Sequence, residues 1–102
     1  MANITIAADE LGAYEIPLTA GQPTTVTVTS RGTASAQSVE VIVHKSDAPV
    51  YVQAGPTAQA RSAKAQVVPT LTWSTVSGLP SGRDAQLTLI SDTAATVSVA
   101  RV

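Results

Sequence analysis

The chain has no cysteine and no phenylalanine. Without thiols there is neither a disulfide framework nor a Cys-built zinc site. One Trp and two Tyr are the whole aromatic inventory, so any core must be aliphatic. Charge is also scarce, at 13% of residues with a net charge of −1 and no acidic or basic run. That balance excludes strong electrostatic attraction to nucleic acid or to an anionic membrane. No apolar stretch is long enough to span a bilayer as a helix. The opening residues, Met1-Ala2-Asn3-Ile4-Thr5-Ile6, lack the basic and then apolar regions of a secretory signal. Synthesis in the cytoplasm is therefore the expectation.

What is present is small and β-branched. The 102 residues include 17 Ala, 13 Val, 14 Thr, 6 Leu and 5 Ile. A chain of this length makes one domain and buries roughly two-thirds of its unfolded surface. Val, Ile and Thr suit a pleated surface and lose rotamer freedom in a helix.

Alternation of apolar and polar residues is the main signal. It predicts strands at residues 3–7, 14–19, 24–30, 39–44, 50–53, 67–68, 70–76, 85–90 and 96–102. Pro17 places the second of these at a sheet edge. Val26 and Val28 share one face, as do Val39, Val41 and Val43, Leu87 and Leu89, and Val97 and Val99. Turn formers such as Ser77-Gly78-Leu79-Pro80-Ser81-Gly82 separate the strands. Strand signals recurring about every 10 to 12 residues predict an all-β, single-domain antiparallel β-sandwich of about 7–9 short strands. Jelly-roll and immunoglobulin-like orders both satisfy this pattern.

Residues 55–66 interrupt it. They contain no large apolar side chain, yet carry Arg61 and Lys64. Gly55-Pro56-Thr57 followed by Ala, Gln, Arg and Lys is compatible with a short helix. A long surface loop is the other reading, and loops of that length tend to be functional or disordered. Either way the segment reads as a surface contact region free of core duty.

Catalytic patterns are missing. His44 is the only histidine, so no second imidazole or thiol joins it at a metal. It reads as a strand-end side chain. The seven carboxylates are dispersed apart from Asp9-Glu10, and no serine sits in a G-x-S-x-G elbow. No cofactor motif is found. Arg31-Gly32-Thr33 reads as a turn. Trp73 shares the phase of Leu71 and is expected in the core, whereas Tyr51 opposes Val50 and Val52 and is expected at the surface.

Three stretches then occur in order: Asp47-Ala48-Pro49-Val50-Tyr51-Val52, Val67-Val68-Pro69, and Leu89-Ile90-Ser91-Asp92-Thr93-Ala94-Ala95-Thr96-Val97-Ser98-Val99. Over roughly residues 22–102 this resembles a group of small β-sandwich virion proteins of tailed bacteriophages, particularly those of actinobacterial hosts. There a "P-[IV]-Y-V" strand, a variable loop, "V-x-P" and a final "L-I-S-x-x-x-A-T-x-S-V" hairpin follow an early Thr/Val strand. This chain departs in its loop, rich in Ala, Gln, Arg and Lys where the group has Gly and Asp.

The resemblance implies a capsid decoration or head accessory protein, without an active site. It would sit on the capsid exterior of the virion, against the major capsid protein, commonly as a homo-oligomer such as a trimer. Contact candidates are residues 39–54, including Tyr51, and the 55–66 segment with Arg61 and Lys64. The N-terminal strand is another, with Ile4 and Ile6, because a terminal strand can extend a neighbour's sheet. Two alternatives stand beside this reading: a tail or connector component, and a carbohydrate-binding or host-attachment module using Tyr51 or Trp73.

Overall fold

The computed structural model describes residues 2–30, 32, 37–59, 62, 65–80 and 82–102. Nine strands form among them: β1 (Ala2–Ile6), β2 (Gly12–Leu18), β3 (Thr24–Val28), β4 (Gln37–Ser46), β5 (Val50–Ala54), β6 (Gln66–Val68), β7 (Trp73–Leu79), β8 (Ala85–Ser91) and β9 (Ala95–Arg101). They make a five-stranded sheet, β1-β3-β8-β5-β6, and a four-stranded sheet, β2-β9-β4-β7. All pairings are antiparallel except β1 with β3.

The strand order separates the two sandwich topologies. From β2 onward the chain changes sheet at every connection except β5–β6. The row β2-β9-β4-β7 facing β3-β8-β5-β6 is the order of an eight-stranded jelly roll. An immunoglobulin order would keep its first two strands, and its last two, within one sheet. Here β2 and β3 lie in different sheets, as do β8 and β9. β1 is an addition: it lies parallel to β3 because the chain visits β2 in the opposite sheet between them.

The core lies between the sheets and is aliphatic. Val26, Val28, Val50, Val52, Leu87 and Leu89 face Val39, Val41, Val43, Val97 and Val99. Ile16 and Leu18 close one side, and Ile6 joins from β1. Burying each such side chain is worth about 1.5–3 kcal/mol. Gly12 marks a close approach, since a Cβ there would lie 2.4 Å from the Val99 carbonyl oxygen.

One end of the sandwich is tied by Arg101. Its Nη2 donates to the carbonyls of Ala7 and Thr29 at 3.0 Å, its Nε to the Glu10 carbonyl, and its Nη1 to Gln37 Oε1. One guanidinium thus joins the ends of β1, β3, β4 and β9. Nothing in the residue pattern near the C-terminus signals this role.

Two expectations about aromatic side chains are overturned. Trp73 is 63% exposed rather than in the core. Register explains it: β7 pairs Val76 with Val39 and Ser74 with Val41, so in its first half Ser74 and Val76 face inward. The Leu71–Trp73 alternation has the opposite parity, and Leu71 falls in the turn before the strand. Tyr51, expected at the surface, is 8% exposed. Its phase does point it away from the core, but the outer face it stands on is covered.

The cover comes from the long connection. Thr25 and Thr88, also on the outer face of the five-stranded sheet, are buried and their hydroxyls meet at 3.1 Å. Thr88 Oγ1 also lies 2.8 Å from the Gly55 carbonyl, to which it donates. Gly55, with φ of 105°, turns the chain there, and its N–H donates to the Gln86 carbonyl. Ala58 is itself buried. The chain just after β5 therefore lies on this face at Gly55. It is not free of packing duty. Among its described residues no helix forms.

Candidate functional site

Among the described residues, the sequence-derived contact residues Ile4, Ile6 and Tyr51 do not form an exposed surface. Ile6 is fully buried and Ile4 is half-buried against the core, so β1 spends both on its own sandwich. Tyr51 is covered as described above. Arg61 and Lys64 lie outside the described residues, as do Arg31 and Thr33.

A cleft of about 610 Å³ opens at one end of the sandwich, between Gly55 and Pro56 on one side and the β7–β8 turn on the other. Arg83 and Asp84 are the ionisable groups lining it. Asp84 Oδ1 accepts the Ser30 amide at 2.8 Å, which fixes it as a turn brace. Among the described residues no three His, Cys, Asp or Glu side chains converge as metal ligands.

His44 does find a partner. Its Nε2 lies 2.6 Å from Ser98 Oγ. The pair resembles the base and nucleophile of a hydrolase only in composition. Ser98 is 1% exposed, so no substrate carbonyl can approach it. No carboxylate within hydrogen-bonding distance holds the other ring nitrogen among the described residues. The pair braces β4 to β9 on the outside of the four-stranded sheet.

The sequence offered Trp73 and residues 39–54 as contacts, and this outer face brings Glu40, Ile42 and Trp73 together with Tyr14 and Glu15. Ile42 stands between the inward-facing Val41 and Val43 and pairs with Trp73 on one side and Ser98 on the other. Across β9, Ser98 meets Tyr14 and Glu15, where the β2–β9 register shifts. The shift is a bulge with Glu15 at φ 54°. It is needed because Ala13 and Ile16 both pack toward the core. An unbulged strand would turn them to opposite faces. The extra residue leaves Tyr14 and Glu15 outside together, and the Glu15 amide lies 3.4 Å from Ser98 Oγ.

One row therefore crosses all four strands: Tyr14 and Glu15, Ser98, Ile42, Trp73. Tyr14 is 62% exposed, nearly the same as Trp73. A neighbouring row holds Gly12, Ala100, Glu40 and Thr75. Leu71, 77% exposed with φ 58°, stands at the rim beyond Trp73. A non-glycine residue at positive φ costs of order 1 kcal/mol and is held there by its surroundings. Here the Thr72 carbonyl accepts from Val43 N and the Thr72 hydroxyl donates to the Pro69 carbonyl. A single clue was available in the sequence: Val76 disagrees in parity with Trp73, and the reading followed Leu71 instead.

No family model matches the chain, and no curated protein or solved structure matches it either.

Proposed function

We propose that this protein is a non-enzymatic structural component of a phage virion, a capsid decoration protein bound to the outer face of the major capsid shell. The observation that supports this reading best is where the chain's resources go. Its polar side chains brace strands, as Arg101, Asp84 and the His44–Ser98 pair do, and among the described residues the cleft receives only Arg83 and the already engaged Asp84 as ionisable groups. A protein built this way acts through its surface. The jelly roll suits the role, being an architecture shared by viral capsid and lectin domains. The stretches that carry the resemblance fall on β5, β6 and the β8–β9 hairpin, so they belong to the frame. The docking surface is then sought elsewhere.

The test is the number of copies of this chain in purified virus particles, measured by quantitative mass spectrometry. Hundreds per particle are expected. A handful would move the protein to the tail or connector, and absence would sink the virion role.

A further inference from the structure

Two of the chain's three aromatic side chains stand in water on the same sheet face, while the core uses none. The four strands bearing them are spaced by about 4.8 Å, which sets Tyr14 and Trp73 about 14 Å apart at opposite edges of one row. Between them the row holds Ser98 and the half-buried Ile42, and beside it lie the small residues Gly12, Ala100 and Thr75. Glu15 and Glu40 rise from this face on either side of β9, with His44 at its margin.

We propose that the outer face of the four-stranded sheet is a carbohydrate-binding platform for a neutral oligosaccharide chain laid across the strands. The apolar faces of pyranose rings stack on indole and phenol rings, and hydroxyl groups donate to the carboxylates between them. The charge pattern selects this ligand over a protein. Interface cores are depleted of charge, and burying Glu15 and Glu40 against a dry protein surface leaves unpaired carboxylates. A neutral, hydroxyl-rich chain supplies a donor to each. An acidic polysaccharide would meet two like charges instead.

A second copy of the chain fits less well. The exposed large apolar side chains, Tyr14, Trp73 and Leu71, stand at the edges of the face with Glu15 and Glu40 between them, and so form no continuous apolar patch. Strand addition at the β7 edge is also hindered. The Thr75 carbonyl there already accepts from Gln66 Nε2 at 3.0 Å, and the same Nε2 meets Ser74 Oγ.

Trp73 is the only tryptophan, so its emission reports directly on the platform. Purified protein is titrated with cellohexaose and chitohexaose as neutral probes and with polygalacturonate as the acidic one. The expected result is a blue shift and protection from acrylamide with at least one neutral probe, and neither with polygalacturonate. Trp73→Ala and Tyr14→Ala, followed by calorimetry, should each weaken that binding by about tenfold or more. Tyr51→Phe should leave it unchanged. Absence of binding to both neutral probes at millimolar concentration would overturn the proposal. So would affinity that survives loss of both aromatics. Protection of Trp73 that rises with protein concentration alone, with a dimer in sedimentation, would also overturn it and give the face to self-association. None of these outcomes depends on whether the chain is found in virus particles.

Discussion

The two sheets bury similar inner faces and treat their outer faces in opposite ways. On the five-stranded sheet, Thr25, Thr88 and Tyr51 point outward and are buried, and Gly55 lies against Thr88 there. On the four-stranded sheet, Tyr14 and Trp73 point outward and stay in water. The chain therefore buries an aromatic on one outer face and leaves two aromatics of the other in water. The covered face contributes to stability. The bare face contributes little, and displaying its two aromatics has no structural return. That contrast teaches where to look for a binding surface in this protein.

Substitutions can break or sharpen the contrast. The largest effect is expected on the covered face. Tyr51→Ala should destabilise the domain by about 3–4 kcal/mol, because it empties a buried aromatic site. Chemical denaturation, with midpoint and slope both fitted, measures this; a loss under 1 kcal/mol would mean that the face is open in solution. Next comes the brace at the end of both sheets. Arg101→Met keeps the side-chain length but strands carbonyls on β1 and β3, at a cost of about 2–3 kcal/mol. The same titration reads it, and the loss should be felt in both sheets together.

Thr88→Val is a smaller and more specific probe. It keeps the shape and removes the bonds to Thr25 and to the Gly55 carbonyl. A loss of about 1–2 kcal/mol is expected. Hydrogen exchange should show faster exchange at Gly55 and Ala58 while β9 is unaffected. If exchange rose equally everywhere, the connection would not be seated on Thr88. The smallest effect is predicted on the bare face. Trp73→Ala and Tyr14→Ala should each change stability by no more than about 0.5 kcal/mol. In the unaltered protein, Trp73 emission should resemble that of free tryptophan. A blue-shifted maximum would contradict its exposure.

Much of the frame was legible in the residues. The alternating valines of β3, β4 and β9 and the leucines of β8 announced both the strands and their inward faces. Period-2 patterning is decisive where one face is buried. The failures have a common cause. Tyr51 and Trp73 were each assigned from the parity of immediate neighbours. Parity tells which side of a sheet a residue takes, and it cannot tell whether that side is covered. For Trp73 even the side was misread, because Leu71 belongs to a turn and Val76 sets the phase. The bulge at Tyr14 and Glu15 was invisible for a similar reason: it answers to the positions of Ala13 and Ile16 against the core.

By itself the sequence determined the class, an aliphatic all-β sandwich without thiols, because composition and alternation are local properties that survive any arrangement of the strands. Only the tertiary structure decided the jelly-roll order, the parallel placement of β1, the covering of one outer face and the alignment of Tyr14 with Trp73 across four strands. Those depend on contacts between residues distant in the chain, such as Thr88 with Gly55 and Arg101 with Ala7 and Thr29. Such pairings are specified by the fit of the whole sheet, and no short window of residues contains them.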